Sequence, residues 1–242
     1  MANDLKHVHA KLAWAKAQLP ILGAETQFFI DSKPYRIWKE VNEERGGFDY
    51  KIKYTQPVPD SILISASNLA HQIRSSLDQM AATLAVRNGA TNTKDVHFPI
   101  SHDRDSFFDG KRAGVKKIAR LSAVDRQIII DLKPYFGGND LLYALHQMSI
   151  TDKHNRPLRA AGFTASVAVD EMIGDLMIGP DIGTWSALDD ERTVLWTTSP
   201  YLKAYVTTHV CIEEIGQRPG IALAPMFGEF IGAVKSIVAL FD

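Results

Sequence analysis

Three residues with the chemistry for proton and phosphate work lie within one short stretch. His71, Arg74 and Asp78 occupy positions i, i+3 and i+7 of the run Asn68-Leu69-Ala70-His71-Gln72-Ile73-Arg74-Ser75-Ser76-Leu77-Asp78. On a helix this spacing puts them side by side, away from the apolar residues of the same run. A histidine titrates near neutrality and moves protons. An arginine clamps a phosphate with two parallel hydrogen bonds. Far along the chain, Asp152-Lys153-His154-Asn155-Arg156 ends a second apolar helix and offers a further carboxylate and imidazole. Asp152 falls on the face of Leu141, Leu145 and Met148, where a carboxylate is costly unless it is paired. Arg74 and His71 are its expected partners. Two readings follow. His71, Arg74, Asp78, Asp152 and His154 form a catalytic group, or they form a buried network that fixes helix packing. Asp78 four residues after Arg74 is an ordinary intrahelical pair worth about 0.2–0.5 kcal/mol on a helix surface. Asp152 also suits a cap for a following turn.

A second cluster is basic. Lys111, Arg112, Lys116, Lys117 and Arg120 gather on one side of an expected short helix, opposite Val115, Ile118 and Leu121. Five cations on one face suit the phosphate backbone of RNA. They equally suit a solvated surface, and no RNA-binding aromatic motif accompanies them. His97, His102, Asp103 and Asp105 match no metal-site spacing. No P-loop, dinucleotide fingerprint, zinc-protease motif or nucleophile elbow occurs. Neither a metal nor a cofactor is expected.

Composition narrows the class. The chain has 242 residues, 45% hydrophobic and 23% charged, as in an ordinary globular protein with a sizeable core. Its 27 Lys and Arg nearly balance its 28 Asp and Glu, so only a local patch would draw a nucleic acid. The single cysteine, Cys211, excludes an internal disulfide and a multi-cysteine zinc site, and is expected to pack in a strand beside His209. No signal-peptide pattern and no run of about 18 apolar residues appears, so a cytoplasmic protein without a membrane span is expected. The expected partners are RNA at the basic patch, or a protein, including a second copy of the chain.

The elements that must position these residues read as follows. Residues 2–19 form an amphipathic helix with Leu5, Val8, Leu12, Ala15 and Leu19, ended by Pro20. A hairpin follows, with strands at 35–41 and 48–55 and a turn at Glu43-Glu44-Arg45-Gly46-Gly47. A long helix spans about 60–87, striped by Leu69, Ile73, Leu77, Met80 and Leu84 and closed by Asn88-Gly89. Residues 95–110 read as a loop. Ser122 caps a helix that ends near Pro134, and a further helix runs from Leu141 to Asp152. Strands are expected at 163–169, 175–178, 193–198 and 203–212, with a turn at Asp189-Asp190-Glu191. A strongly amphipathic helix closes the chain at about 225–241. Segregated helices and strands mean α+β with an antiparallel sheet, the hairpin and later strands sharing one sheet.

Four segments in order, Arg74-Ser75-Ser76-Leu77-Asp78, Phe98-Pro99-Ile100, Lys133-Pro134-Tyr135 and Asp152-Lys153-His154, resemble a set of uncharacterised bacterial proteins with a HEPN-like helical core. The resemblance covers residues 60 to 160. It implies a helical bundle and either a metal-independent RNA-cleaving nuclease of toxin or defence systems, or a non-catalytic relative. The active motif of that family is an arginine followed, after four to six residues, by a histidine. Arg74 matches the arginine, while Gln79, Met80 and Ala81 stand at the histidine positions. Under the nuclease reading, His71 or His154 replaces that histidine in space. The expected organisation is one α+β domain over 1–242. It comprises a helical core at about 58–157, a strand-rich part at about 158–215 and the closing helix.

Overall fold

The computed structural model describes residues 4–111, 113–154, 158–170, 175–178, 184–185, 191–212 and 220–242. Mixed α and β structure is present, with antiparallel sheets, as the segregated pattern implied. The chain divides into two compact units, one of residues 1–21, 65–157 and 224–242, the other of residues 22–64 and 158–223.

The first unit is helical. It contains the N-terminal part of α1 (Lys6–Asp31) and most of α2 (Asp60–Arg87). Three shorter helices follow: α3 (Arg104–Phe108), α4 (Ala123–Asp131) and α5 (Asp140–His154). Nearly all of α6 (Leu223–Val238) also belongs here. The expected stripe of α2 is fully buried: Leu69, Ile73, Leu77, Met80 and Leu84 are all at most 2% exposed. Leu5, which precedes α1, Val8, Leu12 and Ala15 of α1 and Phe227, Phe230, Ile231, Val234 and Val238 of α6 are buried as well. Arg87 locks the ends together. Its Nε and Nη2 donate to the Asp4 carboxylate at 3.0 and 2.7 Å, and its Nη1 donates to the Phe241 carbonyl at 2.7 Å.

Two expectations about local structure change. Residues 95–110 contain α3, whose N-cap Asp103 accepts from the Ser106 amide in a capping box. Pro20 does not end α1. The helix continues to Asp31 because the apolar repeat continues through Leu22 and Phe29, both buried. Pro20 and Lys16 are both exposed, so the helical hydrogen bond that the proline removes is lost at the surface.

What ends α1 is a different signal. Asp31-Ser32-Lys33-Pro34-Tyr35 and Asp131-Leu132-Lys133-Pro134-Tyr135 terminate α1 and α4 in the same way. Lys33 (φ 53°) and Lys133 (φ 49°) take the left-handed conformation of a helix C-cap. Their amides donate to Ile30 and Ile130 carbonyls, both at 3.0 Å, and the following proline blocks continuation. The Ser122 cap of α4 is present, its Oγ accepting from the Asp125 amide at 3.0 Å.

The second unit carries the strands. β1 (Tyr35–Asn42) and β2 (Gly47–Tyr54) form the expected hairpin. β2 then pairs with β6 (Arg192–Thr197), which pairs with β4 (Leu176–Ile178), giving the order β1-β2-β6-β4. The hairpin therefore shares a sheet with later strands. The remaining strands form a separate sheet in the order β5 (Thr184–Trp185), β3 (Ala160–Val169), β7 (Ala204–Ile212). Val194, Leu195, Trp196 and Thr197 are buried in succession, which marks β6 as an interior strand covered on both faces. Cys211 is buried in β7. Of the expected turn at Asp189-Asp190-Glu191, residues 189 and 190 lie outside the described residues.

Candidate functional site around Arg74

Arg74 is 8% exposed, although its charge would favour water. Its guanidinium is occupied on three sides. Nη1 donates to Asp78 Oδ1 at 2.7 Å, Nη2 to the Phe98 carbonyl at 2.8 Å, and Nε to His146 Nδ1 at 3.4 Å. Asp78 Oδ1 also accepts from the Phe98 amide at 3.0 Å. The two charged side chains thus take both backbone groups of one residue, as a neighbouring β-strand would. Phe98 itself is fully buried. A backbone segment brought into the interior without a sheet partner must satisfy these groups elsewhere, and α2 supplies side chains for it.

The same segment is held again three residues later. The Ser101 amide donates to the Pro134 carbonyl at 3.0 Å, and Ser101 forms a parallel bridge with Tyr135. Tyr135 packs on the buried Phe107 with ring centroids 5.5 Å apart. Three of the four segments that carry the family resemblance therefore meet through these hydrogen bonds. The fourth lies at the end of α5, and the side chains of Asp152, Lys153 and His154 fall outside the described residues.

Two lysines lie in the electrostatic field of this pair. Lys11 of α1 donates to Ser75 Oγ at 2.9 Å. Burial lowers the titration point of Lys11, and attraction to Asp78 opposes that shift. Lys117 is half-buried. Burial pushes its ammonium below the usual lysine value, repulsion from Arg74 adds to this, and attraction to Asp78 opposes it.

The site thus differs from the one read from spacing. His71 is half-buried on α2, one turn before Arg74, and Gln79 is exposed. The α5 residue that reaches Arg74 is His146, which lies six residues before Asp152. Because an arginine Nε can only donate, His146 Nδ1 is the acceptor and its proton is carried on Nε2. His146 and Lys11 had no spacing signal. Their only mark in the sequence is a polar side chain beside an apolar stripe.

The basic cluster is also arranged differently. A 3-10 helix covers only Gly114–Ile118, so Lys111 and Arg120 lie beyond it, and Arg112 is outside the described residues. Lys111, Lys116 and Arg120 are exposed, but Lys117 turns inward toward Arg74. Arg120 Nη1 donates to the Asn92 carbonyl, and its own carbonyl accepts from Asn88 Nδ2 at 3.0 Å, which ties down the loop after α2. His102 meets the Tyr143 hydroxyl at 3.0 Å, and Asp103 is spent on its cap. Among the described residues no group of three or more His, Cys, Asp or Glu is placed to hold a metal ion. Nor is any described helix long and apolar enough to cross a membrane. No family model, curated protein or solved structure matches the chain.

Proposed function

We propose that this chain is a HEPN-like, non-catalytic structural or interaction protein of the cytoplasm, needing no cofactor. The observation that supports this most directly is the use made of Arg74 and Asp78. Arg74 Nη1 and Nη2 and Asp78 Oδ1 hydrogen-bond each other and the Phe98 backbone. A phosphate clamp needs an arginine with free donors facing a cleft, whereas Arg74 is buried and engaged. The exposed Gln79 adds no proton carrier. The single cysteine, Cys211, is buried, which accords with a reducing compartment.

One observation favours a second reading, a metal-independent RNA-cleaving nuclease. His146 sits against Arg74 and brings an imidazole next to a guanidinium, with Lys11 and Lys117 nearby to offset phosphate charge. In that reading Arg74 binds phosphate, His146 moves the proton, and the exposed Lys111, Lys116 and Arg120 hold the RNA backbone. The two readings separate in one assay. Purified chain is incubated with mixed RNAs in chelator, beside a His146→Asn variant whose folding is verified by circular dichroism. The non-catalytic reading expects no cleavage above buffer from either protein. Cleavage by the wild type that disappears in the folded His146→Asn variant would replace it with the nuclease reading.

A further inference from the structure

β1 is an open edge of its sheet. The strand order β1-β2-β6-β4 leaves one side of β1 without a neighbour among the described residues. The strand runs for eight residues in one unbroken register with β2. Just before it, in the same register, the Pro34 carbonyl accepts from the Thr55 amide at 2.7 Å. The alternation of an antiparallel ladder then turns the backbone groups of Arg36, Trp38, Glu40 and Asn42 toward β2. Those of Tyr35, Ile37, Lys39 and Val41 point outward, and among the described residues no hydrogen bond reaches them. A long open edge is a template for another strand, and native edges are usually guarded by a proline, a bulge or an outward lysine. β1 has no proline and no bulge. Its one lysine is drawn away, because Lys39 Nζ donates to the Pro200 carbonyl and lies 4.8 Å from the Phe48 ring.

We propose that β1 pairs antiparallel with β1 of a second copy of this chain, with the two Trp38 residues opposite each other on the two-fold axis. The outward groups restrict the register, since Tyr35, Ile37, Lys39 and Val41 must pair among themselves. Charge then selects within that set. With Trp38 on the axis, Arg36 of each copy lies opposite Glu40 of the other, and symmetry makes the pair twice. Centring on Arg36, Lys39 or Glu40 would instead set like charges face to face. Centring on Ile37 would leave Glu40 opposite Pro34, without a cation. The strand is thus its own charge complement, which selects a second copy as the occupant of the edge.

The side chains are already arranged for this pairing. The Arg36 guanidinium lies 4.5 Å over the Trp38 ring, which orients it while leaving its N–H groups free to reach across the axis. Lys51 holds Oε2 of Glu40, so Oε1 remains to accept from Arg36 of the other copy. Opposed positions that are not hydrogen-bonded bring side chains closest, and Arg36, Trp38 and Glu40 would all occupy such positions. All these residues belong to the strand-bearing unit, and none takes part in the Arg74 network.

Sedimentation equilibrium of the full chain tests the pairing, with circular dichroism to verify the fold of each variant. A dimer is expected for the wild type. Lys39→Pro removes an outward N–H and no bond to β2, and should give a monomer. Arg36→Glu should weaken the dimer about tenfold, because symmetry turns two attractive contacts into repulsive ones. Arg36→Glu/Glu40→Arg should restore it. Both swapped charges suit β2, where position 36 lies opposite Lys53 and position 40 opposite Asp49. Crosslinking fixes the register. On oxidation with diamide, Trp38→Cys should join two chains, since directly opposed Cα atoms lie about 4.5 Å apart, within disulfide reach. Arg36→Cys should not, because residue 36 faces residue 40. A wild type that stays monomeric overturns the proposal. So does a dimer indifferent to Lys39→Pro, one weakened by Arg36→Glu and not restored by the double swap, or one in which Trp38→Cys fails to crosslink.

Discussion

Arg74 and Asp78 stand one helical turn apart and share a single backbone target, the N–H and C=O of Phe98. Each leaves the other, and Phe98, unsatisfied if removed. Arg74→Ala should therefore cost about 3 kcal/mol, the lower end for breaking a buried pair, because the Asp78 side chain is 33% exposed. For a chain of this size that is a fall of about 6–12 °C in Tm. Asp78→Ala should cost less than Arg74→Ala, and the double variant less than the sum of both. Thermal denaturation of the four proteins gives the coupling. Additive losses would show that the two residues do not act as one clamp. Hydrogen exchange adds a local readout, with the Phe98 amide exchanging faster in Asp78→Ala.

Lys117 supplies a prediction of opposite sign. Its titration point in the folded chain lies below the unfolded value of 10.5, so folding at neutral pH holds an ammonium ion where it is disfavoured. The unfolded chain binds more protons than the folded one between the lowered value and 10.5, so stability gained from this group rises with pH across that window. Lys117→Met should raise the Tm at neutral pH. The advantage should shrink as the pH approaches about 10.5. A Tm that falls at neutral pH would mean that attraction to Asp78 outweighs burial.

Tyr54 sets the alkaline limit of the strand-bearing unit. Burial pushes its phenol up to about 12, against a hydrogen bond with Thr208 that opposes the shift. Its ring packs between Phe29, stacked at 6.4 Å, and Tyr35, edge-on at 6.0 Å. A raised value in the folded state means stability that is complete below about pH 10 and is lost as the pH rises through about 12, amounting to roughly 3 kcal/mol. Tyr54→Phe should remove this alkaline loss while costing about 1 kcal/mol at neutral pH for the missing hydrogen bond. Denaturant midpoints across the alkaline range, together with tyrosinate absorbance, measure both effects. An unchanged alkaline limb in Tyr54→Phe would contradict the assignment.

Gly138 is required by space. A Cβ there would lie 2.5 Å from the Lys133 carbonyl and 2.7 Å from Tyr135 Cε2. The carbonyl belongs to the left-handed turn that ends α4, so it cannot move without disturbing the contact between Tyr135 and Ser101. Gly138→Ala should destabilise by about 1–3 kcal/mol, as overpacked sites do. By contrast, Gly110→Ala meets no atom within 4 Å and is strained only by its positive φ of 91°, so it should cost less. Equal melting temperatures for the two variants would contradict this.

Much of the framework was legible because it rests on short-range spacing. The apolar period of α2 and the Asn88-Gly89 that closes it marked the helix that spans Asp60–Arg87, and Ser122 announced α4 by its cap. Pro20 misled because a proline is a local signal, while the burial of Leu22 and Phe29 beyond it depends on residues distant in sequence, such as the Tyr54 that stacks on Phe29. The basic segment misled for a related reason. A five-residue 3-10 helix does not present side chains at α-helical spacing, so Lys117 turned inward from a row that appeared to share one surface.

Spacing along the chain alone determined α2, α4, α5 and α6, the hairpin, the antiparallel α+β class and the pairing of Arg74 with Asp78, because each depends on residues within a few positions of one another. Only the tertiary structure decided what that pair holds. The Phe98 backbone lies 20 residues from Asp78 in sequence, and His146 lies 72 from Arg74. A buried arginine takes whichever acceptors the folded chain brings to it, and the need to satisfy every buried backbone group is met only once distant segments have closed around the core.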